Sequence, residues 1–553
     1  MAMRIHRPTI GPLTLGLLVA GYVLIVLNNT LWSKAAEYFA GAPLEWASFA
    51  IGYVALMFAG AAVFSYRYIA KPAFILAVVV SALVSYFVDH YGAIIDRNII
   101  RDVFDTTSGE AGEYVTAALL LHMLLYGAIP SVLIAWVRLR HPSFLRQFAR
   151  NALAGTAWAL VCGIAVMASF EGIASTLREH GEMMETSTPG APLVAAIKYA
   201  KMELRDRNVV LQPLGTDAIQ GPLARVAEKP LVTVLVVGET ARADHFSLNG
   251  YPRDTNPELS AADVVNYPNA TSCGTLTAVS VPCMFSVFGK SDFGEKKARS
   301  TENLLDVLQH AGVDINWLDN NTGSKGVADR VAYFHSSPEE TPALCHGKEC
   351  LDQILVDRLG PLLDNVQRNT VIVLHMLGSH GPSYFLRYPR EFALFKPDCH
   401  SPHLSECSNE QLVNAYDNTI AYTDHFLGQV IGLLKQRQDR LSTSMIYLSD
   451  HGESLGEDGL YLHGAPYLIA PEAQKHIPFL TWLSDDFAAA MTIDTECLRD
   501  KSSEPVSQDN LFHSVLGLMD VRTSVHVRSR DIFEACKAHH VATGAGRSLH
   551  HHG

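Results

Sequence analysis

The sequence predicts a domain of five transmembrane helices followed by an outer α/β domain, whose mostly parallel sheet carries helices on both faces. Three observations lead to this prediction. Five apolar runs fill the first 175 residues, β-branched runs alternate with helical patterns after residue 231, and eight of the nine cysteines lie after residue 270. At 553 residues the chain is long enough for two or more domains, each with its own core.

The transmembrane domain is predicted over residues 1–175. Most of its apolar runs approach the roughly 20 residues that a helix needs to cross a bilayer, and the third run is shorter. No convincing cleavage site follows the first run, so we interpret it as an uncleaved anchor. The five runs are Ile10–Leu27, Trp46–Phe64, Ala73–Val88, Tyr114–Trp136 and Leu153–Ala174.

Basic residues predict the orientation of these spans. They cluster before the first span, between the second and third, and between the fourth and fifth. With five spans, these segments share one side of the membrane, and the positive-inside rule makes that side cytoplasmic. Everything after residue 175 is then expected outside. The basic residues are Arg4, Arg7, Arg67, Lys71, Arg138, Arg140, Arg146 and Arg150.

Cysteine content and charge restrict the function classes. Three close pairs of cysteines after residue 270 are typical of a disulfide-stabilised domain in an oxidising compartment, which agrees with an outer location. Metal binding by cysteine and histidine is the competing interpretation, although the chain has no CxxC pair. A net charge of -13 without a long basic tract argues against a nucleic-acid-binding protein.

Two segments connect the membrane spans to the outer domain or to one another. Residues 176–230 are predicted to form a bridge in which Leu193–Arg207 is amphipathic. That helix either lies on the outer membrane surface or packs on the next domain. The outer loop Asp89–Glu113 carries mixed charge, and it is either a solvated loop or an interfacial helix that handles a lipid headgroup.

The outer domain is predicted over residues 231–540, with 541–553 as a disordered tail. Continuous apolar runs predict buried strands of a parallel sheet, and longer periodic segments between them predict helices. This alternation indicates a doubly wound α/β sheet. The predicted strands are Leu231–Val237, Asp314–Leu318, Thr370–Met376 and Ser444–Leu448, and the predicted helices are Asn303–Ala311 and Asn409–Leu434.

Polar residues follow three of these strands, and ligands of such sheets bind beyond the carboxyl ends of the strands. Glu239 follows the first strand, His380 the third, and Asp450 with His451 the fourth. A single carboxylate in this position is more often a helix cap, but three strand ends together indicate a metal site. Carboxylate, hydroxyl and imidazole ligands favour Zn²⁺ or Mn²⁺ over Mg²⁺.

The stretch Thr271–Cys283 crowds hydroxyl groups between two cysteines. A threonine hydroxyl is a poor nucleophile at neutral pH unless a base or a metal lowers its pKa. Two interpretations remain at this point. The stretch is either a hydroxyl-rich loop held by a disulfide or the site of a metal-activated nucleophile at Thr277.

Seven motifs, which extend over the outer domain, carry a specific resemblance. They are Val-Gly-Glu-Thr-Ala-Arg-Ala-Asp-His (237–245), Ser-Cys-Gly-Thr-Leu-Thr-Ala-Val-Ser-Val-Pro-Cys-Met-Phe-Ser (272–286), Asp-Asn-Asn-Thr-Gly-Ser-Lys-Gly-Val (319–327), Gly-Ser-His-Gly-Pro (378–382), Asn-Ala-Tyr-Asp-Asn (414–418), Ser-Asp-His-Gly-Glu-Ser-Leu-Gly-Glu (449–457) and Tyr-Leu-His-Gly (461–464). With the five spans, the whole chain resembles the phosphoethanolamine–lipid A transferases, the family behind polymyxin and colistin resistance. The outer domain resembles the alkaline phosphatase and sulfatase superfamily.

The resemblance implies a set of site residues. It selects Thr277 over Thr275 as nucleophile, and it implies one tight Zn²⁺ site, with a second, weaker site left open. The tight site would consist of Glu239, Thr277, Asp450 and His451. His380 and His463 match histidines that contact the phosphoryl group or a second zinc, and Lys325 matches a lysine near the active site.

The resemblance also implies disulfides and a donor site. The implied disulfides are Cys273–Cys283, Cys345–Cys350 and Cys399–Cys407, and Cys497 with Cys536 is left as a candidate fourth pair. In the outer loop, Thr106 and Glu110 match positions that hold the donor headgroup. Asp102 occupies a position that is commonly asparagine, so it is kept as a candidate that departs from the pattern.

The implied function is transfer of phosphoethanolamine from phosphatidylethanolamine to a phosphate of lipid A, through a covalent intermediate on Thr277. The implied location is the bacterial inner membrane, with a cytoplasmic N-terminus and a periplasmic catalytic domain, and a monomer among membrane lipids is expected. Transfer to lipopolysaccharide core sugars, or of phosphoglycerol to a glycan, is the alternative. A hydrolase or a non-catalytic membrane sensor is a more distant one.

Overall fold

The structure is a computed structural model that describes residues 7–538 apart from 106–111, 113, 141, 181, 207–209, 337–340, 347–348 and 402–403. The predicted donor-site residues Thr106 and Glu110 and the predicted tail 541–553 lie outside the described residues. Asp102 belongs to a helix, but its side chain is likewise outside the description.

The N-terminal part is helical. Four of its described helices have the length and composition to cross a membrane, and a bent pair at the start would make a fifth span. The helices are α1 (Pro12–Val26), α2 (Asn29–Tyr38), α3 (Pro43–Phe64), α4 (Ala70–Tyr91), α5 (Arg97–Asp105), α6 (Ala117–Trp136), α7 (Phe144–Ala168), α8 (Phe170–Glu179), α9 (Glu182–Glu185) and α10 (Gly190–Asp206).

Three spans differ from the prediction more than the other two do. The first is broken, because α1 has only 15 residues and meets α2 at an angle of 63°. The short third run is extended at both ends to the 22 residues of α4. The last span begins earlier than predicted and ends at Ala168, where α8 starts a separate helix. Apolar composition predicted where the spans lie. The helices α4 and α7 extend beyond the apolar runs because they include polar residues at their ends.

Buried polar contacts hold this part together at both ends of the helices. Ser65, which follows α3, accepts hydrogen bonds at its carbonyl oxygen from Gln147 and Asn151 of α7, at 2.9 and 2.8 Å. At the C-terminal end of α1, Asn28 exchanges hydrogen bonds with the backbone of Thr188, at 2.8 and 3.0 Å. This second contact ties the first membrane helix to the segment that precedes α10.

The C-terminal part is built on a seven-stranded, mixed sheet with the order β2-β7-β6-β1-β5-β3-β4. The strands are β1 (Leu231–Gly238), β2 (Val265–Asn266), β3 (Asp314–Asp319), β4 (Ala332–His335), β5 (Thr370–His375), β6 (Ser442–Ser449) and β7 (Phe479–Leu483). Strands β6, β1, β5, β3 and β4 are parallel, and β7 pairs antiparallel with both β6 and β2. The predicted fold class is confirmed, while three strands were not predicted: the two edge strands β2 and β4, which have two and four residues, and the neighbouring antiparallel strand β7.

Helices cover both faces of this sheet. Along β1, Leu231, Leu235 and Val237 belong to one apolar core, and Val232 with Val234 belongs to the other. Both faces are buried because successive strand residues point to opposite sides. The helices are α11 (Pro222–Val226), α12 (Pro257–Ala261), α13 (Thr277–Met284), α14 (Glu295–Arg299), α15 (Leu304–His310), α16 (Gln353–Asp364), α17 (Asn409–Lys435), α18 (Asp485–Ala490), α19 (Thr495–Lys501) and α20 (Leu511–Leu518).

Four disulfides occur in this part, and Cys162 of α7 is a free thiol. The bonds are Cys273–Cys283, Cys345–Cys350, Cys399–Cys407 and Cys497–Cys536. The first three close loops of ten residues or fewer, and the fourth joins α19 to the C-terminal segment over 39 residues.

Candidate active site

Two buried carboxylates lie side by side at the carboxyl edge of the sheet. Glu239 follows β1, Asp450 follows β6, and these neighbouring parallel strands are in register at Gly238 and Ser449. Both side chains are buried, with relative exposures of 1% and 0%. His451 completes the group, since its Nε2 lies 3.4 Å from Glu239 Oε1 and 3.3 Å from Asp450 Oδ2.

Thr277 points into this group from the first residue of α13. Its hydroxyl donates to the carboxylate of Glu239 at 3.1 and 3.2 Å, and it lies 3.3 Å from Nε2 of His451. Thr275 is directed elsewhere, because its hydroxyl donates to the carbonyl oxygen of Ala465 at 2.7 Å. The structure therefore brings Thr277, rather than Thr275, together with the three strand-end residues.

The loop before Thr277 is held by its own side chains. The Cys273–Cys283 disulfide joins the loop to the far end of α13. The Ser280 hydroxyl accepts from the backbone N–H of Gly274 at 3.1 Å, and the Ser272 hydroxyl donates to the Gly274 carbonyl oxygen at 2.6 Å. The clustered hydroxyls thus serve mainly to shape this turn, which aims the single hydroxyl of Thr277 at Glu239.

The electrostatics of the group favour a bound cation. Burial, reinforced by the charge of Asp450, raises the pKa of Glu239 well above its usual range. Asp450 Oδ2 is buried without a hydrogen-bond donor among the described residues. Ligand atoms of Glu239, Asp450 and His451 all lie within 4.8 Å of one another. Two carboxylates and an imidazole, which are buried together, fit a divalent metal ion such as zinc.

Asn321, whose role sequence reasoning missed, orients Glu239. Its side-chain amide donates to Glu239 Oε2 and to the carbonyl oxygen of Met376, both at 2.7 Å. Asp319, the last residue of β3, accepts from the backbone N–H of Asn321 at 2.9 Å. The signal was present, because Asn321 stands in the Asp-Asn-Asn motif directly after a predicted strand.

His380 and His463 lie next to this group, with ring centroids 5.5 Å apart, and the ring of His463 is 4.5 Å from that of His451. His463 Nδ1 lies 2.9 Å from Glu453 Oε2, and the Tyr384 hydroxyl donates to Glu453 Oε1 at 2.7 Å. Glu453 belongs to the motif 449–457, but the sequence predicts no role for it. Its carboxylate fixes the orientation of the His463 ring.

Burial lowers the pKa of His380 well below its usual range, and the neighbouring His463 and further cations, Lys325 among them, act in the same direction. These surroundings therefore disfavour the protonated form of His380. Lys325 has a left-handed backbone conformation, with φ of 52°, and its ammonium donates to the Thr322 carbonyl oxygen at 3.2 Å. The loop 319–327 thus brings a cation near the histidines.

Two family patterns match the chain. One is described as sulfatase and matches residues 232–521, and the other is described as phosphoethanolamine transferase EptA/EptB and matches residues 53–204. Together they span both halves of the chain.

Individual relatives match over nearly the full length. The phosphoethanolamine transferase EptA of Escherichia coli K12 is 38% identical over 545 residues, which cover 96% of this chain and 98% of that protein. The phosphatidylethanolamine transferase Mcr-1 of Escherichia coli is 35% identical over 544 residues, with the same two coverages. The solved integral membrane lipooligosaccharide phosphoethanolamine transferase A of Neisseria meningitidis superposes with a TM-score of 0.92 at 34% identity, covering 96% of this chain and all of that one.

The buried carboxylates predict that a divalent cation stabilises the folded protein. At a concentration about 100-fold above its Kd, a ligand adds roughly 2.7 kcal/mol, which corresponds to about 5–10 °C in the Tm of the α/β domain. Calorimetry of the detergent-solubilised chain before and after chelation measures this difference. In Glu239→Gln the gain should be lost, whereas the cation-free variant should melt higher than the cation-free wild type, because one of two adjacent charges is removed.

Asp509→Asn is the matched control. Asp509 forms a second geometric cluster with Cys273 and Cys283, but those cysteines are joined in a disulfide and offer no thiolate. This variant should keep the full gain. An equal gain in Glu239→Gln would contradict cation binding at the strand ends.

Proposed function

The chain belongs to the EptA family of phosphoethanolamine transferases, and we propose that it transfers phosphoethanolamine from phosphatidylethanolamine to a phosphate of lipid A. The observation that carries this proposal is the Thr277 hydroxyl, which lies 3.1–3.3 Å from both Glu239 and His451. A hydroxyl aimed into a buried, cation-binding group is the arrangement that nucleophilic phosphoryl transfer requires.

The reaction would proceed in two displacements. Thr277 Oγ1 loses its proton and forms a bond to the phosphorus of phosphatidylethanolamine, while the bond from phosphorus to the glycerol oxygen breaks. The glycerol oxygen takes up a proton, which releases diacylglycerol. An oxygen of a lipid A phosphate then attacks the same phosphorus, the bond to Thr277 breaks and Thr277 regains a proton. Each step exchanges one phosphorus–oxygen bond for another, so no oxidant or further reactant is needed.

We propose Glu239, Thr277, Asp450 and His451 as the ligands of one zinc ion. A bound zinc ion lowers the pKa of the threonine hydroxyl and offsets charge on the phosphoryl oxygens. Asn321 would hold Glu239 in its ligating orientation. His380 and His463 would either hold a second zinc or contact the phosphoryl group directly, and Lys325 would add positive charge nearby.

The proposed location is the bacterial inner membrane, with residues 231–540 as the periplasmic catalytic domain, 1–175 as the membrane domain and 176–230 as the bridge. The basic segments around the spans support this orientation, since five spans would place all of them on one side of the membrane. At that location the enzyme would meet both lipids as a monomer. Adding an ethanolamine cation to lipid A would lower the negative charge of the surface and weaken the binding of cationic peptides such as polymyxin.

Thr277→Ala should abolish transfer and the covalent adduct. Removing a covalent nucleophile leaves only the catalysis due to binding, so we expect turnover to fall by at least about 10³-fold. Diacylglycerol release from a fluorescent phosphatidylethanolamine measures turnover, and mass spectrometry of the intact protein measures the phosphoethanolamine adduct. Thr275→Ala is the control, because its hydroxyl bonds Ala465, and it should retain the adduct on the 271–283 peptide. Full activity in Thr277→Ala would refute the assignment.

Chelation should abolish activity, and Zn²⁺ should restore it where Mg²⁺ does not, because an imidazole belongs to the ligand set.

Asn321→Ala should weaken zinc binding by roughly 10–100-fold, since the amide orients a ligating carboxylate. Competition with a chromophoric chelator measures this affinity. Asn365→Ala, at the exposed residue that follows α16, is the control and should bind as the wild type does. Unchanged affinity in Asn321→Ala would contradict the positioning role.

Lipid A from cells that produce the protein should gain the mass of phosphoethanolamine, and the cells should tolerate more polymyxin. Cells that produce Thr277→Ala provide the control and should show neither effect. Mass spectrometry of the isolated lipid A locates the added group. A group found only on core sugars, or a phosphoglycerol increment, would favour the alternative transferases over the one proposed here.

A further inference from the structure

A buried glutamine lies beneath the two loops that meet at the active site. Gln508 belongs to the segment between α19 and α20, where it begins a single 3₁₀ turn, and its relative exposure is 1%. The side-chain amide of glutamine carries an acceptor oxygen and a nitrogen with two donor hydrogens. Buried polar groups of this kind are normally hydrogen-bonded, so the partners of Gln508 show which parts of the chain it holds.

Three hydrogen bonds engage the amide of Gln508. Its Oε1 accepts from the backbone N–H of Cys273 at 2.8 Å. Its Nε2 donates to the carbonyl oxygens of Ser449 and Asp450, at 2.8 and 2.7 Å. All three bonds are buried. An amide turned by 180° would bring like groups face to face, so these partners fix its orientation.

These contacts join the two sides of the reaction centre. Cys273 lies in the disulfide-bonded loop, four residues before the nucleophile Thr277. Asp450 is one of the proposed zinc ligands, and its Oδ1 accepts from the backbone N–H of the next ligand, His451, at 2.7 Å. Gln508 therefore bonds the backbone on both sides of the 3.3 Å gap between Thr277 Oγ1 and His451 Nε2.

The segment that carries Gln508 is itself held against the nucleophile's loop. The short strand Val506–Ser507 pairs in parallel with the short strand Ala270–Thr271, which leads into that loop. The Asn510 side chain accepts from the backbone N–H of Ser507 at 2.8 Å, which closes the turn around Gln508. The glutamine is thus presented by a hydrogen-bonded segment, and its side chain has little freedom to follow either loop if that loop moves.

We propose that Gln508 is a positioning residue for phosphoryl transfer, which holds Thr277 at a fixed distance from the proposed zinc ligands. This proposal rests on the proposed function and adds a residue that lies outside all seven sequence motifs. Thr277 Oγ1 reacts in both displacements, so its alignment matters twice. Glutamine suits the role because it bonds an N–H and two carbonyl oxygens at once and adds no charge beside two buried carboxylates.

Gln508→Met removes all three hydrogen bonds and keeps a side chain of similar length. In the full chain in detergent, single-turnover formation of the phosphoethanolamine adduct should slow by roughly 10²-fold, because a displacement of about 1 Å at a reacting atom has an effect of that size. The donor concentration that gives half the maximal rate should stay near that of the wild type, since the buried side chain offers the lipid no contact. A wild-type rate in Gln508→Met would overturn the proposal.

Gln508→Asn is the conservative variant, which also serves if Gln508→Met does not fold. It keeps the amide, but its side chain is one methylene shorter and cannot reach both loops together. Loss of one buried hydrogen bond predicts a rate about tenfold below that of the wild type. A wild-type rate in this variant would likewise contradict the requirement for a side chain that bonds both loops.

Zinc affinity tests the positioning role independently of activity. Thr277→Ala removes one proposed ligand and should weaken zinc binding in the wild type. In Gln508→Met the threonine is no longer held over the site, so the same substitution should weaken binding less, by a difference of about threefold or more. Competition with a chromophoric chelator measures the affinities of the four proteins. Equal losses in the two backgrounds would indicate a purely structural role and overturn the proposal.

Asn369→Leu is the matched control. The Asn369 side chain also makes three hydrogen bonds, since it accepts from the backbone N–H of Leu231 at 2.8 Å and donates to Gln220 and to the carbonyl oxygen of Ala224, at 3.0 and 3.3 Å. It lies at the amino ends of β1 and β5, on the opposite edge of the sheet from the active site. This variant should lower the Tm but keep the wild-type rate of adduct formation per folded molecule.

Equal slowing in Asn369→Leu and Gln508→Met would assign the effect to lost stability and overturn the role of Gln508 alone. Absence of an adduct in the wild type would instead refute the proposed function.

Discussion

The burial of two carboxylates at the ends of adjacent parallel strands is the constraint on which the site depends. Glu239 and Asp450 are brought together by the register of β1 with β6, and burial makes their mutual repulsion costly. That cost can be offset by a cation, by hydrogen-bond donors or by protonation. The amide of Asn321, the hydroxyl of Thr277 and the imidazole of His451 all converge on this point. The same charges that would bind a metal ion therefore also orient the Thr277 hydroxyl.

The second layer around the site consists of groups that hold others in place. Glu453 is buried and joins the Tyr384 hydroxyl to the ring of His463. Thr277, the first residue of α13, follows a loop that is held by the Cys273–Cys283 disulfide and by the hydrogen bond from the Gly274 N–H to the Ser280 hydroxyl. Preorganisation of this kind contributes to phosphoryl transfer because the reacting groups need little rearrangement as charge develops. A flexible hydroxyl on an unconstrained loop would lose that advantage.

The membrane helices contact the catalytic domain, which places the active site close to the membrane in which the lipid substrates lie. Asn28 ties the end of α1 to the segment before α10, and Arg101 reaches from α5 to Glu295 of α14. These contacts bring the end of the membrane spans next to the loop 322–330, which also borders the reaction centre. Lipid substrates at the end of the membrane spans would thus lie close to the buried group around Thr277.

The sequence by itself determined the class of the protein. Hydropathy and β-branched runs are local properties, so they predicted the membrane spans, the central strands and the polar residues at the strand ends. Family motifs then selected Thr277, whose catalytic role stays a prediction. The tertiary structure alone decided which distant residues meet. The contact of Asn321 with Glu239 and the support of His463 by Glu453 both depend on strand order and helix packing. No local pattern encodes these contacts, because each joins residues at least ten positions apart in the chain.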